Sequence, residues 1–414
     1  MKGNNFMRLN LYSLIFLLNS YLSGLLIPIL SLLLIEKGIS LGNLSIFMAI
    51  YSFIVIVFEL PSGIMSDVIG RKKTFCISLM ASIFSSVFML LGNGTFTIGL
   101  GMIFYGLSRA ISSGSFDALF IDSYIESYGI EKLNNITTRL NVLDSIGLSA
   151  GALSGGFLPD YSAQFLRNFG VYDLNLIIKI SLSIIVFILS MILVTETNKS
   201  QHKEDRISFK DHITLSASFV KNNMIVICIF ISVLSTGYFL SSFETYWQPH
   251  FLSLMYNSDL LFLLGIMAFL YLGVVMIGSI ISNKIINKFN SKKMYLILRL
   301  ILAIFIILTS LQRNIILFII CYISMYFIFG MANIPEGVIL NSETPNRIRA
   351  SMLSVNSLIL QIGMLFGSLI NSIIINYTSI STLWIITAIV IVISIILTSK
   401  ILMTHNNITK SSVI

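Results

Sequence analysis

Apolar residues along the chain gather into long continuous blocks separated by short polar stretches. Twelve blocks stand out, roughly residues 9–34, 44–66, 73–92, 95–124, 137–159, 171–195, 222–248, 259–283, 294–311, 314–340, 351–377 and 380–403. A helix needs about 20 mostly apolar residues to cross the hydrocarbon core of a bilayer. The blocks do not alternate in short segments as barrel strands do, and lipid offers an open backbone no hydrogen-bond partner. The pattern therefore predicts an all-α integral membrane protein of twelve transmembrane helices. The first block is too long for a signal-peptide core and lacks a small-residue cleavage site, so it reads as an uncleaved first span. The longest polar stretch runs from Glu196 to Lys221 and divides the spans six and six. It suggests an N-terminal half at 1–195, a central loop at 196–221 and a C-terminal half at 222–414. Within the loop Phe209, Ile213, Leu215 and Phe219 are spaced loosely like one face of an interfacial helix, and a plain linker fits equally well.

Composition narrows the function classes. Of 414 residues 56% are hydrophobic and 11% charged, against about 25% charged in an ordinary globular protein. Mean hydropathy is +0.92. A soluble enzyme, a disordered chain and a nucleic-acid binder are all excluded on that balance. The net charge of +8 follows from topology. With the N-terminus inside, twenty of the 26 Lys and Arg residues fall in inside segments, three (Lys37, Arg167, Arg313) outside, and three (Arg109, Lys179, Arg299) within spans. Loops on the cytoplasmic side carry the excess of Lys and Arg, so both termini are expected in the cytoplasm, in a plasma-membrane protein. Tyr246 and Trp247, at the end of the seventh span, read as part of an interface belt. Cys76, Cys228 and Cys321 lie inside apolar runs and build neither a disulfide framework nor a metal set.

Enzymatic chemistry finds no foothold. His202, His212, His250 and His405 sit in loops or at span ends, and no H-E-x-x-H helix, nucleophile elbow or phosphate loop occurs. No cofactor is expected. What remains is movement of a solute down or against a gradient, or a receptor role.

The loop between spans two and three reads Gly63-Ile-Met-Ser-Asp67-Val-Ile-Gly70-Arg71-Lys72-Lys73. Asp67 and Arg71 are four apart and face one another on a helical turn. An aspartate at a span end also suits a neighbouring helix N-terminus. This segment resembles motif A of the major facilitator superfamily, G-x-x-x-D-x-x-G-R-[KR], at every constrained position. The resemblance extends over the chain in span count, symmetric division and central loop. It implies two pseudo-symmetric six-helix halves that alternate access to a midplane site. It also implies that Asp67 caps the eleventh span, here starting near Ser351, and that Asp122 at the end of span four completes a charge cluster with Arg71. Gly63, Asp67, Gly70, Arg71 and Asp122 are then the gate. The matching loop of the second half keeps only the basic end, with Asn283 at the aspartate place and Lys292-Lys293 at the close.

Two further segments are similar to family motifs. Arg109 lies near the middle of span four, where a charge is costly and demands a partner or water. Ser113 and Asp117 follow at four-residue steps, which puts all three on one stripe of a continuous helix. The family's motif B places an arginine here, which implies a part in proton coupling; its Gln is absent and Gly114 stands one residue late. Span five holds Gly147-Leu-Ser-Ala-Gly151-Ala152-Leu-Ser-Gly155-Gly156, similar to the antiporter motif C with Ala152 in place of proline. Gly147, Gly151, Gly155 and Gly156 would let another helix approach closely and rock.

Buried acids supply the coupling candidates. Ser45, Ser52 and Glu59 repeat every seven residues on span two, and Asp144 lines up with the glycine face of span five. Burial favours the neutral carboxyl and a nearby arginine favours the charged one. Glu59, Arg109, Asp117 and Asp144 are thus the expected proton-coupling set. Asn19, Tyr21 and Tyr238 near midspan, and Glu244 on span seven, are the expected substrate contacts. Arg299 and Glu336 are polar exceptions without assignable partners. Together with the resemblance these residues predict a proton-coupled secondary transporter, driven by the proton gradient and exporting a hydrophobic, drug-like compound by antiport. The alternatives are proton-coupled import of a sugar, organic acid or other small nutrient on the same fold, and a non-transporting sensor or scaffold. Expected partners are the lipid bilayer, the small-molecule substrate and protons, with no nucleic acid and a monomeric state.

Overall fold

A computed structural model describes residues 2–165, 170–195, 218–255, 260–345 and 348–404. The fold is all-α, twelve spans in two six-helix halves, with two spans each broken into a pair of helices. The first half holds α1 (Lys2–Gly24), α2 (Leu30–Glu36), α3 (Leu41–Ile69), α4 (Arg71–Leu91), α5 (Thr95–Ser112), α6 (Phe116–Tyr128), α7 (Leu133–Phe165) and α8 (Asp173–Leu193). The second holds α9 (Met224–Ser253), α10 (Phe262–Ile285), α11 (Ser291–Leu311), α12 (Ile315–Glu343), α13 (Arg349–Ile374) and α14 (Ile380–Thr404). Among the described residues nine helices are long and apolar enough to cross a membrane. The other three spans are the broken pairs α1–α2 and α5–α6 and the glycine- and serine-rich α7. The suggested interfacial helix through Phe209, Ile213 and Leu215 lies outside the described residues.

The broken spans correct two expectations of continuous helix. The first span stops at Gly24 and resumes at Leu30, with three-residue turns at Ile27 and Ile29 where Pro28 cannot donate a backbone hydrogen bond. The fourth breaks over 113–115, where Gly114 takes φ +81°, a value that favours glycine. Arg109 and Asp117 therefore do not share one helical stripe. The carbonyl of Ala110, freed by the break, accepts from Ser62 Oγ of α3 at 2.8 Å and from Ser113 Oγ at 3.1 Å.

By compactness the chain divides into two units, Met1–Lys199 with Thr245–Gly273, and Ser200–Glu244 with Val274–Ile414. The end of α9 and the start of α10 thus pack with the first unit. Tyr246 and Trp247 belong to that segment and are fully buried, which corrects their assignment to an interface belt. Tyr246 shares a 2.8 Å hydrogen bond with Ser45, and the Trp247 ring packs edge-on against Tyr271. Gln248 Nε2 donates to Ile27 O at 2.8 Å.

Prolines inside helices α7, α9 and α12 each leave a carbonyl four residues earlier without its helical donor. Lipid cannot supply one. A side chain from another helix does so in all three. Asn175 Nδ2 donates to Gly155 O at 2.7 Å beneath Pro159, Ser31 Oγ to Thr245 O at 2.7 Å beneath Pro249, and Ser282 Oγ to Met331 O at 2.8 Å beneath Pro335.

Glycines set the closest helix crossings. A methyl group on Gly147, Gly151 or Gly155 of α7 would run into the carbonyls of Leu17 and Tyr21 of α1 and of Leu25 just past its end, and one on Gly156 would run into the backbone of Gly265. The second unit repeats the crossing with Gly237 of α9 against Leu360 of α13 and Gly363 against Leu234. Likewise Gly106 of α5 meets Tyr51 of α3, and Gly330 of α12 meets Val275 of α10. Spans one and five, and two and four, therefore recur as seven and eleven, and eight and ten.

A buried ion pair fastens the turn after α2 to the start of α8. Lys37 Nζ lies 2.8 Å from Asp173 Oδ1, with 8% and 6% of the side chains exposed, and also donates to Leu90 O at 3.1 Å. Asp173 Oδ2 accepts from Gly170 N at 2.8 Å. Removing one partner of a buried pair costs about 3–5 kcal/mol, because the other charge is left alone, whereas replacing both by apolar groups is often neutral. Asp173→Ala should accordingly lower the thermal unfolding midpoint of the detergent-solubilised protein well below that of the double variant Lys37→Met/Asp173→Leu. Equal midpoints for the two would show that the pair does not hold this corner.

Candidate coupling and substrate sites

In the first unit α1, α3, α5, α6, α7 and α8 bring polar side chains together within an otherwise apolar bundle. Arg109 ends α5 and Asp117 opens α6. A helix C-terminus favours a cation and a helix N-terminus an anion, so the break over 113–115 gives each charge a helix end that stabilises it. Arg109 is solvent-accessible despite its depth in the span, and Asp117 and Asp144 are half-buried. Both acids lie within electrostatic reach of Arg109, yet among the described residues neither forms an ion pair with it within 4.0 Å. Asp144 Oδ1 instead accepts from Ser20 Oγ at 2.6 Å, which ties α7 to α1. On either side of that bond Asn19 Nδ2 reaches Ser112 Oγ at 3.4 Å and Tyr21 OH accepts from Ser154 Oγ at 2.8 Å.

Of the predicted set, Asn19, Tyr21, Arg109, Asp117 and Asp144 are thus clustered. Glu59 is half-buried on α3 one turn before the break-spanning Ser62, whose Oγ also donates to Glu59 O at 2.8 Å. Lys179 of α8, given no role by the sequence, is 2% exposed and stands over the Tyr105 ring at 4.9 Å. Tyr105 in turn packs against Tyr51 at 5.2 Å. Its signal was present as a lysine in mid-span.

The candidate gate is partly assembled. Gly70 takes φ +100° between α3 and α4, which turns the chain so that Arg71 starts α4. Arg71 Nη1 contacts Asp122 Oδ2 at 2.5 Å and Ala118 O at 2.8 Å. Gly63 faces open space, and the Asp67 side chain lies outside the described residues. Beside the gate two cations cap the end of α8. Lys72 Nζ donates to Met191 O at 2.7 Å and Arg8 Nη2 to Thr195 O at 3.0 Å, as suits a helix C-terminus. The second unit keeps the ion pair although its motif has faded: Lys292 at the start of α11 lies 3.5 Å from Glu343 at the end of α12.

Tyr238 and Glu244 belong to the second unit. Tyr238 is 6% exposed and packs under Gly367, and its hydroxyl is buried without a hydrogen bond among the described residues. Glu244 is half-buried within electrostatic reach of Tyr326, beside a ring cluster that includes Phe239, Phe243 and Tyr322. The partners of Arg299 and Glu336, which the sequence leaves open, are found in the same unit. Arg299 is clasped by hydroxyls of Ser235, Thr236, Tyr295 and Ser394, and Tyr295 OH donates to Glu336 Oε2 at 2.7 Å. The tyrosine four residues before the arginine was the missed signal, since i and i+4 share a helix face.

Comparison with known proteins places the chain in a family. A family model described as Major Facilitator Superfamily matches residues 12–335 and 227–410. The chain is 25% identical over 382 residues to the uncharacterized MFS-type transporter YxaM of Bacillus subtilis (strain 168), covering 90% of this chain and 91% of that one. It is 24% identical over 177 residues to the quinolone resistance protein NorA of Staphylococcus aureus, covering 43% and 42%. Among solved structures it resembles the nucleoside transporter NupG, with TM-score 0.80 at 13% identity over 96% of this chain and 100% of that one. It also resembles a bacterial homolog of the human lysosomal transporter Spinster, with TM-score 0.73 at 12% identity over 97% and 96%. The likeness to the solved structures is one of fold, and the sequence match runs through both halves: the chain belongs to the Major Facilitator Superfamily.

Proposed function

We propose that the chain is a proton-coupled secondary transporter that exports a hydrophobic, drug-like compound by antiport with alternating access. One observation carries this reading: Arg109, Asp117 and Asp144 lie within electrostatic reach of one another's charge without being locked into an ion pair. A locked pair would hold its protonation state. An accessible arginine facing two half-buried acids has a charge balance that a single proton changes. Asp144 and Asp117, with Glu59, would load and release that proton, and Arg109 would set their balance. Asn19, Tyr21, Tyr238 and Glu244 would contact the compound, which must compete with the proton for one buried charge.

Movement would be borne by the close crossings of α7. The faces of Gly147, Gly151, Gly155 and Gly156 have no side chain to obstruct a small rotation. Gly63, Asp67, Gly70, Arg71 and Asp122 would form the gate, on the cytoplasmic side by the distribution of Lys and Arg. Export is favoured by the similarity of α7 to the antiporter motif and by the partial likeness to NorA, named for quinolone resistance. The alanine at 152 in place of the motif's proline favours a second reading, symport of a small nutrient into the cell.

Direction separates the two. Everted membrane vesicles given an inside-acid gradient should accumulate a lipophilic fluorescent drug only when they contain the protein. Concentration of a sugar or organic acid by intact cells, with no drug uptake by the vesicles, would overturn export. In the same vesicles Glu59→Gln and Asp144→Asn should lower gradient-driven flux by about tenfold, the effect of about 1.4 kcal/mol, and leave downhill exchange in place. Unchanged gradient-driven flux in both variants would remove these acids from the coupling set.

The gate is tested by rate against stability. An exposed ion pair contributes only about 0–1 kcal/mol, and Arg71 and Asp122 are 28% and 54% exposed. Asp122→Asn and Asp67→Asn should therefore slow turnover several-fold with the thermal midpoint almost unmoved. A fall in stability matched by unaltered turnover would make the cluster a structural tie.

A further inference from the structure

The second unit contains a charge network outside the coupling set just described. Arg299 of α11 is 2% exposed. Its Nη1 donates to Thr236 Oγ1 at 2.8 Å and to Tyr295 OH at 3.3 Å, and its Nη2 to Ser235 Oγ at 2.5 Å and Ser394 Oγ at 3.2 Å. Among the described residues every partner is a neutral hydroxyl, and Nε has none. A buried cation held this way still carries an uncompensated charge, which is costly in a low-dielectric interior. The opposite charge stands one hydroxyl away. Tyr295 is completely buried, and its hydroxyl both accepts from Arg299 and donates to Glu336 Oε2 at 2.7 Å. Glu336 follows Pro335 in α12 and is only half-buried. The carboxyl is thus anchored inward through one oxygen while part of its surface stays accessible.

We propose that Glu336 is a proton-binding site of the second unit, separate from Glu59, Asp117 and Asp144, and that Arg299 registers its charge through Tyr295. A proton from water adds to the carboxylate and makes a neutral acid; no other bond breaks, and Tyr295 keeps its own proton. The charge that offset Arg299 is then gone, and the guanidinium rests on its hydroxyls alone. Those hydroxyls come from α9 (Ser235, Thr236) and α14 (Ser394), so one protonation is felt on four helices. The charged and titratable groups facing Glu336 are Tyr295 and Arg299 of α11. α10 presents the hydroxyls of Ser279 and Ser282 to the Gly330 and Met331 carbonyls of α12, and neither titrates.

The assignment does not depend on substrate or direction, so it is tested on the purified full-length protein without either. Infrared difference spectra across a pH titration in detergent should show a protonated-carboxyl band that is absent from Glu336→Gln and retained in Asp144→Asn. Tyr295→Phe keeps the carboxyl and removes the link to Arg299. Its band should remain with a midpoint displaced by about one pH unit or more, the size of a lost hydrogen bond to a charged group. A wild-type carboxyl band that survives intact in Glu336→Gln overturns the site. A Tyr295→Phe midpoint equal to wild type overturns the link to Arg299. Should Glu336→Gln fail to fold, the Tyr295→Phe midpoint decides alone, since Tyr295 bonds Glu336 and its loss displaces that carboxyl's band while the bands of Glu59, Asp117 and Asp144 stay in place.

Discussion

Lipid donates and accepts no hydrogen bonds, and the kinks at Pro159, Pro249 and Pro335 and the break at Gly114 are arranged around that fact. The carbonyls freed by Pro159, Pro249 and Pro335 receive Asn175, Ser31 and Ser282. The carbonyl of Ala110, freed where span four breaks, receives Ser62 and Ser113. These donors sit on other helices or on the broken span itself, so each kink is also a tie. The glycine crossings make the ties possible, because a short side chain such as serine bridges two backbones only when they come close. Sequence features that look unrelated, a proline here and a serine many residues away, are thereby two halves of one interaction.

The two halves use these devices in parallel. Gly151 against Tyr21 has its counterpart in Gly363 against Leu234. The Arg71–Asp122 contact has its counterpart in Lys292–Glu343. In the second case the motif around the cation has eroded, with Asn283 where the first half has Asp67, and the pair survives because it needs only a cation at one helix start and an acid at the end of the next. Geometry has been kept where residue identity has not.

That difference explains what the sequence could and could not tell. Span number and helical class were legible because about 20 apolar residues in a row admit few other structures. The α7 glycine face was legible because it depends on local spacing, whereas the contact between Arg71 and Asp122, 51 positions apart, was legible only through the family resemblance. The break at Gly114 was not. Its residues, Ser112 to Ser115, are compatible with a helix, and only the placement of Ser62 on α3 makes leaving the helix tolerable. Tyr246 and Trp247 were misplaced for the same kind of reason: a ring near a span end suits the interface, and only packing against Ser45 and Tyr271 reveals burial. Arg299 and Glu336 stand 37 positions apart in sequence, and the tyrosine that joins them carries no charge to draw the eye.

Each half carries an arginine within a span, held in opposite ways. Arg109 lies at a helix C-terminus, accessible, with two acids near but not bonded. Arg299 is sealed off, saturated by hydroxyls, with its acid reached through a phenol. An open cation responds to protonation of its neighbours without any side chain having to move, because long-range charge needs no contact. A sealed cation responds only through the bonds that hold it, and those bonds belong to α9, α11 and α14 at once. The first arrangement suits exchange of a proton with water or solute. The second suits converting a change of charge into a change of grip between helices.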